Sequence, residues 1–351
     1  MMKYIPFLKF KVNEIAAIKA LSQTEKKGLT PFFDFPRRDD MNENTLVKNI
    51  DAAYRKYEIN LTKLPTFYID NFDIDDKLLI NGDDNYDYVL CKFIGAPIIP
   101  VVGIDRTSRH NEVVFEWSQE IKTDTVAFRI TSEDLDYLLM EDEITVLLDT
   151  CYNNFSNVHL IVDNRVCDGI DVNARANEIV NFITEITREY VFDKVIVTGS
   201  SIPGSIRDLL EPGKRKTFSR TEVEIYRVVK STHDDIILGD YTAVSPEYSD
   251  VKVKKEIMRK ITAPKIIYSH GDSVYIMRGY SLETHARGNK QYNDLSAILI
   301  TKKFYRTKNY SMGDHYIYEK ANDIGNDATP STIPKALINL HIVFMLNHFN
   351  F

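Results

Sequence analysis

Through its N-terminal part the chain alternates short apolar runs, each ending in an acidic or turn-forming residue, with longer stretches of helical periodicity. That alternation is the grammar of parallel βα units. Tyr4–Phe10 is the first predicted strand; Asn13 then caps a helix with Ile15, Ile18 and Leu21 on one face, and Gly28 ends it. Leu29–Phe35 is the second strand, followed by a helix carrying Leu46, Val47, Ile50, Ala53, Tyr54 and Tyr57 at helical spacing. Strands follow at Pro65–Phe72, Pro97–Ile104 and Thr125–Ile130, with helices over 83–94 and around 110–122. A sixth run, Val158–Val162, precedes a helix striped by Ile179, Phe182, Ile183, Ile186 and Tyr190. Val195–Thr198 and Ile236–Leu238 bring the runs to eight.

Eight apolar runs in alternation predict an α/β fold of the (β/α)8 TIM-barrel type, although an open doubly wound sheet shares the pattern. From Lys252 the pattern loosens, with a hairpin at Lys265–Met277 and a helix at Asp294–Tyr305. The last helix is better defined: Ser331 or Thr332 can cap it and Pro334 suits its first turn. Ala336, Leu337, Leu340, Val343, Phe344 and Leu346 make it apolar almost all round, so it is expected to be buried, across the barrel bottom or at a dimer contact. The organisation predicted is one barrel domain over 1–351, with 311–351 as a C-terminal extension packed on it.

A length of 351 residues accommodates such a barrel with insertions, and 44% hydrophobic with 27% charged residues excludes a disordered or fibrous chain. The formal charge of −7 argues against an overall affinity for nucleic acid or anionic membrane, leaving only local basic patches to bind phosphate. Cys91, Cys151 and Cys167 fall in no CxxC or Cys/His spacing, which suits reduced thiols in a core. With no signal-like N-terminus and no apolar run long enough to span a membrane, the expectation is a cytoplasmic protein.

In a barrel, chemistry belongs to the carboxyl ends of the strands. Those positions are acidic here: Asp34; Asp70 and Asp73; Asp105 beside Arg106; Asp163; and Asp240 followed by Tyr241. A ring of Asp34, Asp70, Asp163 and Asp240 could bind a divalent cation, the one cofactor these residue types suggest, or supply an acid–base pair. Each is equally an ordinary turn former or helix cap. Strand one carries Lys9 and Lys11 and no HxH, which disfavours a zinc hydrolase; Lys9 and Arg129 count as candidate ligand-binding residues. His270, His285, His315, His341 and His348 all follow strand eight, and His341, on an apolar helix, reads as a core residue.

The segment Thr198 to Ser205 follows strand seven, where barrels often cradle phosphate. Gly199, Ser200 and Ser201 offer close backbone approach and hydroxyl donors, and Lys214, Arg215, Lys216 and Arg220 add cations nearby. A Gly/Ser turn beside a surface basic run also needs no ligand; the Walker lysine and the GxGxxG fingerprint are absent. A second basic stretch, Lys302, Lys303, Tyr305, Arg306, Lys308 and Tyr310, interleaves aromatics with cations as single-strand binders do, and as solvated helix ends do. No Ser/His/Asp or Cys/His nucleophile set is legible, since Ser200 lies outside a GxSxG elbow.

The opening Tyr4-Ile5-Pro6-Phe7-Leu8-Lys9-Phe10-Lys11 with Glu14 and Leu21, then Thr30-Pro31-Phe32-Phe33-Asp34, resembles the start of the bacterial and phage "Beta protein" family. Gly239-Asp240-Tyr241 and Ala328-Thr329-Pro330-Ser331, before a final helix with Asn339 and His341, extend the likeness over nearly the whole chain. Ile333-Pro334 stand where related chains carry an aromatic residue. The resemblance implies a prokaryotic or phage protein of mobile-element context and assigns no catalytic residue. Together with the 199–220 segment it suggests a role in phage–host conflict, by binding a partner protein or a phosphate-bearing ligand, nucleotide or nucleic acid, at the barrel mouth. One alternative is a hydrolase or phosphodiesterase using the strand-end aspartates and a metal. Another is an assembly protein that oligomerises through its last helix.

Overall fold

In the computed structural model, which describes residues 4–247, 260 and 262–351, eight parallel strands close into a barrel. They are β1 (Tyr4–Lys9), β2 (Phe32–Asp34), β3 (Phe67–Asp70), β4 (Ile98–Val102), β5 (Thr125–Thr131), β6 (Asn157–Val166), β7 (Lys194–Ser200) and β9 (Ile237–Asp240). The strand inserted before the last of these, β8 (Arg215–Ser219), belongs to a separate sheet. Residues 1–3, 248–259 and 261, the latter two in or beside the loosened region, lie outside the described residues.

The helices between strands are α1 (Val12–Lys19), α2 (Gln23–Lys27), α3 (Glu43–Asn60), α4 (Asn85–Phe93), α5 (Ser108–Glu116), α6 (Tyr137–Asn154), α7 (Val172–Ile186) and α8 (Thr221–Lys230). The outward faces of the strands pack on this ring: Tyr4, Leu8, Phe33, Val126, Phe128 and Leu160 share one core with the helices' apolar stripes. Inside the barrel a smaller core is built from Ile5, Phe7, Phe32, Tyr68, Ile99, Val101, Ala127, Ile161 and Ile196. Gly239 faces this interior, where an added Cβ would lie 2.7 Å from the Phe7 ring; a residue without a side chain lets that ring stack on Phe32 at 4.3 Å.

Beyond β9 the chain adds the hairpin β10 (Lys265–His270) and β11 (Ser273–Arg278), then α9 (Gln291–Ile300), α10 (Met312–Ala321) and α11 (Ile333–Asn347). The hairpin and β8 form an antiparallel sheet in the order β10-β11-β8, with its own core of Ile266, Tyr268, Ile276, Tyr292, Leu299 and Leu340.

The last helix is buried as its composition requires, by elements of its own chain and not beneath the barrel. It packs against α1 and β1, Met345 meets Arg220 beside α8, and Arg227 of α8 donates to the Asn350 carbonyl. It thus fills the eighth position of the helix ring, next to the outer face of β9. Thr332 occupies its cap position without a side-chain capping bond, and Asn13 is no cap either. Asn13 lies inside α1 and its side chain donates to the Ser331 carbonyl at 3.0 Å, tying the first helix to the start of the last.

Candidate functional site

Successive residues of a strand face opposite sides, so the inward set continues in steps of two from the barrel core to its rim. From Phe7 it reaches Lys9; from Phe32, Asp34; from Tyr68, Asp70; from Ala127, Arg129; from Ile161, Asp163; from Ile237 and Gly239, Tyr241. The register brings Lys9, Asp34 and Asp70 level on neighbouring strands, and Arg129 sits beside Ile161, one turn of the pleat below Asp163. Six residues singled out in the sequence therefore do share the mouth.

They are joined by ion pairs. Lys9 Nζ donates to Asp34 Oδ2 at 2.8 Å and also to Asp73. Arg129 donates to Asp70 at 2.6 Å and, through Nη2, to Asp163 at 2.5 Å, while Arg106 forks onto Asp70 at 2.9 and 3.1 Å. The Tyr241 hydroxyl donates to Asp163 at 2.6 Å. Burial would push Asp70 and Asp163 up, but the guanidiniums of Arg106 and Arg129, and of Arg129 and Arg165, override it and hold both below the usual carboxylate range. Asp34 goes the other way: burial, and then the neighbouring Asp73 and Asp70 charges, outweigh Lys9 and push it up to about 7. Its Oδ1 has no hydrogen-bond partner.

Two residues complete the rim. Phe72, just past β3, is ringed by three guanidiniums, with Arg129 4.2 Å, Arg165 4.4 Å and Arg106 4.5 Å from its ring centre. Arg165 sits at a bulge of β6 with φ of 53°, a left-handed conformation that costs a non-glycine residue of order 1–3 kcal/mol. Its amide donates to Asp163 at 2.9 Å, and its guanidinium, 17% exposed, reaches the Pro246 carbonyl at 3.2 Å and Asp73 at 3.5 Å. Beneath this lid, the space among Phe7, Lys9, Phe32, Asp34 and Tyr241 has no room for a water molecule.

The fourth aspartate of the expected ring is elsewhere. Asp240 lies one residue off the inward set, so it faces the helices, where it accepts from Tyr4, from Arg220 at 2.5 Å, from the Thr242 amide at 2.8 Å and from His341 Nε2 at 3.0 Å. Burial would raise it, but His341 and Arg220 hold it far below the usual carboxylate range. His341 Nδ1 pairs with Ser269 Oγ at 2.7 Å, so a Ser/His/Asp series exists that residue order could not reveal, because its members come from β10, α11 and β9. All three are buried, and the space beside them, about 10 Å³, is the size of one water. The series is a structural clasp holding α11, which agrees with the reading of His341 as a core residue. Among the described residues no three His, Cys, Asp or Glu side chains are grouped to hold a metal. With Asp34, Asp70 and Asp163 each committed to Lys or Arg, the donor set does not fit a resident divalent cation.

The 199–220 segment is also divided. Gly199 packs its α-carbon against Cys167, the Ser200 hydroxyl turns back to the Ile202 amide at 3.1 Å, and Ser201 bonds Glu222 and the Thr221 amide. Arg220 is buried between Glu222 and Asp240, whereas Lys214 precedes β8 and Arg215 and Lys216 stand exposed on that edge strand. These groups form no single cradle. In the second basic stretch, Arg306 lies 4.2 Å over Tyr268 and Lys308 4.8 Å over Tyr318, so these cations and aromatics engage one another within the chain. Of the thiols, Cys151 and Cys167 are buried as expected, but Cys91 is exposed.

The sequence named Asp73 and Arg106 only as strand ends and passed over Phe72 and Arg165. The signal for Arg165 was present in the polar Asp163-Asn164-Arg165 run, which β6 carries four residues beyond its apolar core.

Among solved structures, the chain is similar to a D-psicose 3-epimerase, with D-tagatose, from Clostridium cellulolyticum H10. The identity is 10% and the TM-score 0.32, over 66% of this chain and 97% of that one, a likeness too weak to bear on function. No curated protein matches the chain. No helix among the described residues is long and apolar enough to cross a membrane. The profile of the Beta protein family spans residues 4–347, through every barrel strand and the clasp that holds α11, and the chain belongs to that family.

Proposed function

We propose that this barrel binds a phosphate-bearing ligand at its mouth, with Arg165 and Arg106 holding the oxyanion and Phe72 as the surface beneath it. The observation that carries this is the set of three guanidiniums around one aromatic ring, with Arg165 fixed at the rim by a left-handed backbone. An incoming oxyanion can replace the long Asp73 contact of Arg165 without disturbing the buried pairs below. The mouth sets four cations, Lys9, Arg106, Arg129 and Arg165, against Asp34, Asp70, Asp73 and Asp163, with Asp105 at its outer edge 3.5 Å from Arg106. Asp34, pushed up to about 7, is only partly ionised at neutral pH, which lightens the negative charge of the mouth.

The test is calorimetric titration of inorganic phosphate, a nucleoside triphosphate and a short oligonucleotide into the wild type, R165Q and R106Q. Binding by at least one probe, weakened tenfold or more in both variants, is the expected result. No binding, or unchanged affinity in the variants, refutes it. Replacing Lys214, Arg215 and Lys216 by alanine is expected to leave affinity intact; loss there would move the site to β8. We place the binding in phage–host conflict on the family's mobile-element context, and the check is phage plating efficiency on cells expressing wild type or R165Q.

A further inference from the structure

Two faces of the helix ring carry opposite charge around apolar centres. α6 buries Tyr137, Ile144, Leu147, Leu148 and Cys151, yet turns Leu138, Leu139 and Val146 outward at 74%, 78% and 69% exposure. Asp142 and Glu143 lie between Leu139 and Val146 at helical spacing, and Asp149 follows one turn on. From residue 133 to residue 154 the chain has seven carboxylates and neither lysine nor arginine. Exposed apolar residues grouped in this way mark contact surfaces.

The complementary face lies on α1, α3 and the start of α11. There a groove of about 560 Å³ has Val12, Ile15, Ala16 and Ala20 as its floor and Lys19, Lys56 and Lys335 as its rim; no acidic side chain among the described residues lines it. Val12 is 60% exposed. Lys26 adds a further cation beside Lys19, donating to the Lys19 carbonyl.

Neighbour contacts run α1, α3, α4, α5, α6, α7, α8 around the ring, and α11 closes it between α8 and α1. On that order α6 stands opposite α1, four places away in either direction. A chain therefore cannot satisfy its own groove, and two copies facing each other across a twofold axis would bring like charges together.

We propose that the acidic Leu138/Leu139/Val146 face of one copy seats in the lysine-rimmed groove of the next, so that chains associate head to tail. The occupant is argued from this chain's own surface: apolar side chains with carboxylates at their flanks meet an apolar floor with ammonium groups at its edge. Because the two faces differ and lie on opposite sides, the contact is heterologous and the assembly grows in line. Nothing in the argument depends on the mouth.

Sedimentation velocity on the full chain tests it. The wild type is expected to gain mass with concentration, past the dimer, and to lose it as salt screens the charges. E141K/D142K/E143K removes the acidic face and K19E/K56E/K335E the basic groove; each alone is expected to be monomeric. Mixed in equal amounts, the two should form a dimer and stop there, since one offers only a groove and the other only an acidic face. L139E, a single exposed change, should also be monomeric, and circular dichroism confirms that each variant is folded. A wild type that stays monomeric at its highest soluble concentration, a closed dimer, assembly persisting in L139E or in either triple variant, or a mixture that fails to pair, each overturns the proposal.

Discussion

Arg129 is the residue on which the mouth's electrostatics turn, and Arg129→Met tests that reasoning. The guanidinium is 1% exposed and holds two carboxylates, Asp70 and Asp163, which are themselves fully buried. At an effective dielectric near 20, each pair at about 4 Å is worth roughly 4 kcal/mol of gross attraction. Desolvation of the arginine offsets much of this, so removing it costs about 3–5 kcal/mol, chiefly through the uncompensated charge left behind. Asp70 keeps Arg106, and Asp163 keeps the Tyr241 hydroxyl and the Arg165 amide, which places the expected loss at the lower end, about 3 kcal/mol. Equilibrium urea denaturation at neutral pH, with an unchanged slope, measures it. The penalty has a defined sign with pH. In the wild type both carboxylates are held low, a stabilisation present above their unfolded values near 4 and lost as pH falls through the folded ones. In the variant burial acts with less opposition, so the gap between the two proteins narrows on acidification. R129M/D163N removes one charge of each sign, leaves the Asp70–Arg106 pair intact and should recover most of the loss. A penalty below about 1 kcal/mol, or a double variant no better than the single one, would refute the reasoning.

Three further outcomes follow from the geometry. Asp34, raised to about 7, takes up a proton on folding, so stability should fall as pH rises from about 4 to about 7, by at most about 4 kcal/mol; urea midpoints across that range should flatten in D34N. Gly239→Ala forces a Cβ against Phe7 and Thr198 and should cost about 1–3 kcal/mol, partly restored by a second change, F7L; a neutral G239A would mean that the Phe7 ring is not confined. Ser269, although bonded to His341, should resist a fluorophosphonate probe in the folded protein, and Cys151, whose thiol burial pushes up to about 12, should react with a thiol reagent only on unfolding, unlike Cys91.

The barrel was legible because parallel strands covered on both faces read as continuous apolar runs, and all eight barrel strands fall on runs that composition marks. α6 was not legible. Leu138, Leu139 and Val146 face outward, so its apolar residues fall around the helix and leave no stripe. β8 escaped for the opposite reason: Arg215, Lys216 and Thr217 are exposed on an edge strand, and nothing in their polarity separates them from a loop. The mouth was half legible. Asp34, Asp70, Asp163 and Tyr241 were identified by strand-end position, and Lys9 and Arg129 as candidate ligand-binding residues, but their pairing, which turns a supposed metal ring into a set of salt bridges, depends on register across distant strands.

Asp240 and Tyr241 carry the sharpest consequence of that register. Adjacent in sequence, they leave β9 on opposite sides: Tyr241 donates to Asp163 inside the mouth, and Asp240 grips Arg220, Tyr4 and His341 beneath the helix ring. A one-residue slip of β9 would exchange them, placing a phenol beside Arg220 and a further carboxylate against Asp163. Two observations oppose that slip. At Gly239 the Phe7 ring leaves no space for a side chain, and the Tyr4–Leu238 and Ile5–Gly239 pairing fixes the strand against β1. The same pairing sets the Tyr4 hydroxyl, on the outer face, within reach of Asp240. A glycine in the last barrel strand thus decides which carboxylates face the mouth and which side chain receives the final helix.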